Sequence, residues 1–372
     1  MKAEVDVVVV GAGVVGLAAA AALARRGRSV VVLEREPAIA RGATARNSEV
    51  VHAGLYYPEG SIKARTCREG RERLYARCTA WKVPHRRLGK LVVASDASEA
   101  GELERLADLG RRNGAPGLEM LDARGTAALE PAVRAHAALL SPDTGIVDAH
   151  AYATSFLAEA ERHGAVLCTH AELLGVGPAA GAHRLDVRVQ EARETLRAEA
   201  VVNAAGLDAD RVASLAGLDV DGLGMRIHPC KGDYFALAPG ARLRLARLVY
   251  PVPSGPGLGI HATLDLGGRI RFGPDAEFVD APRYDVDPAK AAVFARQAAR
   301  FLPSLRAEQL SPDFAGVRAR LAGPGEAFRD FVVAERSEQG RAGWVDLVGI
   351  ESPGLTAAAA LGEEAAALVV GG

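Results

Sequence analysis

Apolar positions along the chain fall first into a continuous β-branched run, Val5 to Val10, broken only by Asp6. Such a run suits a strand buried on both faces. Gly11-Ala12-Gly13-Val14-Val15-Gly16 follows without a spacer, and an alanine-rich stretch to Arg26 predicts a helix stopped by Gly27. A second short run, Ser29 to Leu33, predicts a strand ending at Glu34. Helical spacing returns after Ser61, an N-cap residue, and runs to about Trp81 before Pro84, with Leu74, Cys78 and Trp81 on one face. Leu88 to Ala94 reads as a strand, Glu99 to Asn113 as an amphipathic helix stopped by Gly114, and Asp122 opens a short helix ended by Glu130-Pro131. A helix over Ala149 to His163, a strand over Ala165 to Thr169, a hairpin-like stretch through Leu196 and a buried strand in Ala200 to Gly206 follow. From about Ala216 to Leu321 the pattern changes to short β segments, among them Gly232 to Ala238, Leu248 to Val252, Gly257 to Ala262 and Gly268 to Phe272. Asp287-Pro288 opens a helix to Phe301. Trp344 to Val348 is a strand, Gly349 to Gly354 a turn, and Leu355 to Val370 a helix.

The order of the first elements carries chemistry. Strand, GxGxxG, helix, strand and acid is the arrangement that binds a dinucleotide: Gly11 allows the turn, Gly13 the approach of a pyrophosphate, and Gly16 close packing of helix on strand. The helix N-terminus, at Val14 and Val15, then faces the anion. Glu34 is placed to accept from ribose hydroxyls, and Arg35 adjoins it. These residues do not separate NAD from FAD, because both present the same adenosine diphosphate. Arg41, Thr44, Asn47 and Ser48 follow at the carboxyl edge of the sheet and are candidates for phosphate and ribityl contacts. The apolar segment Glu49 to Tyr57, with one histidine, His52, reads as a pocket wall. The segment ending at Gly206 is suited to lie against the dinucleotide unit.

At 372 residues the chain is long for one core. The pattern predicts an α/β architecture in which residues 1–85, 145–215 and 322–372 form a Rossmann-type dinucleotide domain. Residues 86–144 and 216–321 are expected to form a second, α+β substrate domain on an antiparallel sheet. A net charge of −1 gives no reason to expect nucleic acid or an anionic membrane as partner. The apolar run at the start is too short to span a bilayer and is consumed by the first strand, so a cytoplasmic protein without a transmembrane segment is expected. The four cysteines form no CxxC pair and have no histidine at ligand spacing, so no metal is expected.

In these residues the chain resembles the FAD-dependent oxidoreductases of the D-amino-acid oxidase superfamily, and within it the L-2-hydroxyglutarate oxidase/dehydrogenase branch. The resemblance rests on Gly11 to Gly16 with Glu34, Arg46 to Tyr57, Leu88-Gly89-Lys90-Leu91, Asn203 to Gly206, Tyr250 to Pro253, Gly259-Ile260-His261, Gly316-Val317-Arg318, and Gly349 to Thr356. Two segments depart from that branch: Lys231 stands where an arginine is usual, and Glu351 to Thr356 replaces a different turn.

The resemblance implies FAD along the sheet, with Gly206, Gly349, Gly354, Leu355 and Thr356 at its second end. The helix after Ser352 would then aim its N-terminus at the flavin's pyrimidine edge. It implies hydride removal from C2 of a 2-hydroxy acid to flavin N5, with oxygen, a quinone or a partner protein as electron acceptor. His52 and His261 are candidate bases for the hydroxyl proton, each with an alternative as a packed or FAD-bonded histidine, and His52 also as a flavin attachment point. Arg318 corresponds to the superfamily's clamp for a small-molecule carboxylate. Tyr56, Tyr250 and Lys231 are further candidates for substrate or flavin contacts. Two other functions fit the same motifs: an amino-acid or secondary-amine oxidase, and a flavin-carrying subunit of a larger dehydrogenase.

Overall fold

A computed structural model describes residues 4–179, 181–253 and 259–371. At its centre the strand Val5–Val10 pairs in parallel with Val30–Leu33 on one side and with Ala192–Asn203 on the other. Val166–Cys168 extends this sheet in parallel beyond Val30–Leu33, and Arg341–Val348 joins the end of Ala192–Asn203. An antiparallel meander of Ala171–Ala179 and Ala182–Val189 pairs with the first part of Ala192–Asn203, Val332–Arg336 pairs with Arg341–Val348, and Val166–Cys168 is the opposite edge. Val7, Val8 and Val9 are fully buried, as a strand covered on both faces requires.

The helix Val14–Arg25 is buried along most of its length because alanine lets neighbours approach. It packs against Ala149–Arg162 and against the last helix, Gly354–Gly371. A Cβ at Gly362 would lie 2.6 Å from the Ala18 backbone, so glycine is what permits that contact. On its other flank the last helix meets Ile62–Trp81, where a Cβ at Gly70 would strike the Thr356 carbonyl. Gly354–Gly371 is the one helix among the described residues long and apolar enough to cross a membrane, and 56% of it is buried in this packing. Ser61 caps Ile62–Trp81 by accepting from the Ala64 amide, and Asp148 caps Ala149–Arg162 in the same way.

The second sheet has nine strands among the described residues. Its spine is the antiparallel pair His228–Leu237 and Leu310–Arg320, continued by Ile270–Phe272, Ala262–Leu264 and Leu248–Pro251. Lys90–Ala94 joins in parallel to Leu248–Pro251, and Ala137–Ser141 and Glu119–Asp122 follow antiparallel. Phe235, Phe272 and Phe294 fill the core beneath the helix Ala291–Ala298.

Several elements differ from the sequence pattern. Leu310–Arg320 is not signalled, because Ser311-Pro312-Asp313 reads as a turn. Among the described residues its only sheet partner is His228–Leu237, and an edge strand tolerates a proline. The helix expected from Asp287 is divided: Asp287 caps a single 3₁₀ turn, Pro288–Lys290, and the α-helix is only Ala291–Ala298. The segment expected as strand from Gly257 begins outside the described residues, and the strand there is Ala262–Leu264.

Candidate cofactor and substrate cavity

One cavity of about 1640 Å³ runs between the two sheets, from the glycine turn to the segment around Ser352. That exceeds the range of about 300–1,000 Å³ usual for a single small ligand. At one end the chain leaves Val10 through Gly11 at φ +102°, where a Cβ would also meet the Ala204 carbonyl oxygen at 2.6 Å. A Cβ at Gly16 would run into the Gly11 carbonyl, so both glycines serve the turn and the helix packing. Gly16 itself does not line the cavity. The helix starts after Gly13 with no side-chain cap, and Thr44 Oγ1 accepts from the Val14 amide at 3.1 Å. A helix N-terminus whose N-cap residue is a glycine, opening into a cavity with one amide held by Thr44, is a ready anion site.

Glu34 borders the cavity with its carboxylate fixed by two backbone amides, from Ala12 at 2.8 Å and Glu36 at 2.9 Å. Arg35 pairs with Asp208 at 2.8 Å, and both line the wall beside Gly206. Arg41, Thr44, Asn47 and Ser48 lie along the middle. Asn47 is a correction: its amide hydrogens go to the Ala43 and Thr44 carbonyls and its oxygen accepts from Glu49, so it holds its own loop rather than offering a donor to a ligand. Ser48 bonds Tyr234 across the cavity at 2.8 Å.

At the other end His52, Tyr56, Tyr250 and His261 form a wall, with Ser352, Gly354 and Leu355 beside them. His52 Nε2 lies 3.2 Å from Ser352 Oγ, and its Nδ1 is buried without a hydrogen-bond partner. Thr356 does not reach the cavity; its hydroxyl accepts from the His52 amide at 3.0 Å and donates to the Val50 carbonyl, which fixes the His52 main chain. Gly349 also lies outside, packed on Leu321. Burial, and secondarily the charge of Lys90, hold the His52 imidazole down to about 3, so it is a neutral acceptor at physiological pH. His261 stacks on Tyr250 with centroids 3.5 Å apart and planes at 8°. Burial raises the Tyr56 and Tyr250 phenols well above their ordinary range.

Arg318 reaches the cavity from Leu310–Arg320. Its Nη2 donates to the Asp275 carbonyl at 3.0 Å and its Nη1 to Cys230 Sγ at 3.6 Å. It makes no ion pair among the described residues; Glu326 bonds the Gly323 amide instead, and Asp330 the amides of Ile62 and Lys63. Arg320, two positions on along the same strand face, also lines the cavity. Its Nε is buried without a hydrogen bond, and its nearest anion is Glu351 at 3.8 Å. Glu351 is otherwise engaged by the buried Lys63 at 2.9 Å.

Lys231 is a second correction. It is 1% exposed, does not line the cavity, and pairs with the wholly buried Asp233 at 2.6 Å. Alternation along the strand turns it away while Gly232 and Tyr234 face the ligand space. Asp233 also receives Lys290, which binds Asp275 and Glu277 as well. Burial opposes the Lys290 charge, but these three carboxylates outweigh it and raise its pKa. The sequence reading passed over Ser352 as a ligand-side group, Lys63, Asp275 and Lys90.

A nucleotide cradle at one end, an oversized cavity, and an acceptor histidine opposite an unpaired arginine at the other define a flavin-dependent oxidoreductase. The chain belongs to the FAD dependent oxidoreductase family, which it matches over residues 6–368, and FAD is its cofactor. It is 38% identical to the mitochondrial L-2-hydroxyglutarate dehydrogenase of Arabidopsis thaliana, over 98% of this chain and 83% of that protein. It is 36% identical to the human mitochondrial L-2-hydroxyglutarate dehydrogenase, over 73% of this chain and 60% of that one. Among solved structures it is similar to the FAD-bound L-alpha-glycerophosphate oxidase of Mycoplasma pneumoniae, with a TM-score of 0.87 and 25% identity over 100% of this chain and 95% of that one. Glycine oxidase from Geobacillus kaustophilus shares the fold at a TM-score of 0.82 and 23% identity, over 99% of this chain and 95% of that one.

Proposed function

We propose that the protein oxidises L-2-hydroxyglutarate, or a 2-hydroxy acid much like it, to the 2-oxo acid. The observation that carries the reading is Arg318, a guanidinium without a carboxylate partner, lining the same cavity as a neutral His52. FAD, when bound, supplies the acceptor for the two electrons that leave C2 with its hydrogen. Gly13, Val14 and Val15 would hold its pyrophosphate, Glu34 its ribose, and the segment from Ser352 to Leu355 its far end. Arg318 is placed to bind the C1 carboxylate through two parallel hydrogen bonds, which orients the carbinol carbon. His52 accepts the hydroxyl proton, and its bond to Ser352 fixes the ring. Arg320 offers a second cation about 6.6 Å further along the strand, near the span of a five-carbon dicarboxylate.

Anaerobic flavin bleaching by L- and D-2-hydroxy acids, amino acids and glycerol phosphate tests this. L-2-Hydroxyglutarate is expected to bleach fastest, ahead of 2-hydroxybutyrate. Exclusive bleaching by amino acids establishes the amine-oxidase reading, and failure of every substrate together with copurifying subunits establishes the carrier reading. Comparing dye-linked turnover with oxygen consumption identifies the class of acceptor. Cytoplasmic residence is part of the proposal, tested by fractionation of the source cells.

A further inference from the structure

Lysine is scarce here, six among 45 basic residues, and most lysines inside the fold are neutralised: Lys63 by Glu351, Lys231 by Asp233, Lys290 by three carboxylates. Lys90 is different. It opens the strand Lys90–Ala94 and is 1% exposed, and its side chain makes neither an ion pair nor a hydrogen bond among the described residues. Its ammonium instead lies 4.7 Å from the ring centroid of Tyr56 and 4.7 Å from that of Tyr250. Both rings are cavity wall, while Lys90 stands behind them. An interior cation without an anion is costly, and two aromatic faces are the compensation this site provides.

We infer that Lys90 is a positioning residue for the reaction: from behind the wall it fixes the Tyr56 and Tyr250 rings by their faces and sets a positive potential at the His52 ring. The inference rests on His52 being the proton acceptor. Burial is the larger influence on His52 and Lys90 the second, while burial brings Lys90 itself down to about 7. Among the described residues no neighbouring anion offsets that potential. Burial holds the Tyr56 and Tyr57 phenols neutral and pushes the Cys67 thiol up to about 12. Glu351 is engaged by Lys63 and Asp143 by Arg71, and His261 is stacked on Tyr250. A charge behind the wall therefore keeps the imidazole unprotonated at acid pH without occupying ligand space.

Replacing Lys90 with methionine keeps the length of the side chain and removes the charge. One of the two influences lowering the His52 pKa is then lost, so that pKa rises and the acid limb of kcat/KM moves to higher pH. The test uses Lys90→Met holoenzyme labelled at histidine, with the His52 NMR signal identified by its loss in His52→Gln. In the wild type the signal shows only a small step near pH 7, as Lys90 loses its proton, and the ring stays unprotonated down to pH 5. In Lys90→Met it titrates further toward neutral pH, and the acid limb shifts by about one unit, a roughly tenfold loss of kcat/KM at a fixed pH on that limb. Lys90→Arg, which keeps the charge throughout this range, keeps the ring unprotonated down to pH 5 and removes the step near pH 7. A folded Lys90→Met with a His52 signal and pH profile like the wild type overturns the inference. If Lys90→Met does not fold, the wild-type signal decides: a step near pH 7, as Lys90 loses its proton, supports the coupling, and no step between pH 6 and 9 overturns it. Full activity of His52→Gln would remove the base assignment alone and leave the NMR result standing.

Discussion

Arg318 and His52 are the two side chains on which turnover should depend most steeply. If Arg318 pairs with a substrate carboxylate closed off from water, Arg318→Ala leaves that carboxylate unpaired at a cost on the order of 3–5 kcal/mol. Its kcat/KM should fall by roughly a hundred- to several-thousand-fold, with FAD content and melting temperature unchanged. Arg318→Lys should recover only part, since a point charge cannot form two parallel bonds. Turnover within tenfold of wild type in Arg318→Ala would transfer the carboxylate to Arg320. His52→Gln should lower kcat by about 10²–10⁴. The same residue leaves a mark on stability. Its folded pKa is about 3 and its ordinary value 6.5, so between those values the unfolded chain binds a proton that the folded chain does not. Its contribution is complete above pH 6.5 and is lost as pH falls toward 3. Thermal scans of His52→Gln should therefore show a weaker decline of Tm between pH 6.5 and 5 than the wild type.

At the scale of elements, stability should concentrate where helices touch through glycine. A leucine at Gly362 must displace the Ala18 backbone, and overpacking of this kind costs about 1–3 kcal/mol. Gly362→Leu should lower Tm by several degrees, whereas substitution at Gly371, which meets nothing within 4 Å, should leave it unchanged. Elements whose signals are local were legible from the chain. Ser61 and Asp148 cap helices, and a β-branched run followed by glycines makes the central strand and its turn. Pairings set over long separations were not. Leu310–Arg320 carries a proline, Pro312, that its edge position tolerates, and Lys231 looks like a site residue until strand alternation turns it inward onto Asp233. Asn47 showed its chemistry in the sequence but not that its own loop would consume it. Lys90 had one faint signal, a lysine heading an apolar strand in a chain that otherwise uses arginine.

Across the whole molecule the cavity is assembled from distant stretches, with Gly11 at one end and Ser352 at the other. Glu34→Gln should weaken FAD retention, read as flavin lost on gel filtration, without altering the order of substrates, because the residue borders only the nucleotide end. A changed substrate order with FAD held as tightly would show that the nucleotide end has been misplaced. The strand order has a further consequence for how the molecule is made. The first strand and its glycine turn leave the ribosome early, yet the Ala192–Asn203 strand that closes one side of them comes about 190 residues later, and the Arg341–Val348 strand later still. Ser352, which orients His52, and Gly362, which seats the last helix on the first, come later than any of these strands. Cofactor capture accordingly waits until the segment around Ser352 has emerged, and a ribosome stalled before residue 350 should display a chain that retains no flavin.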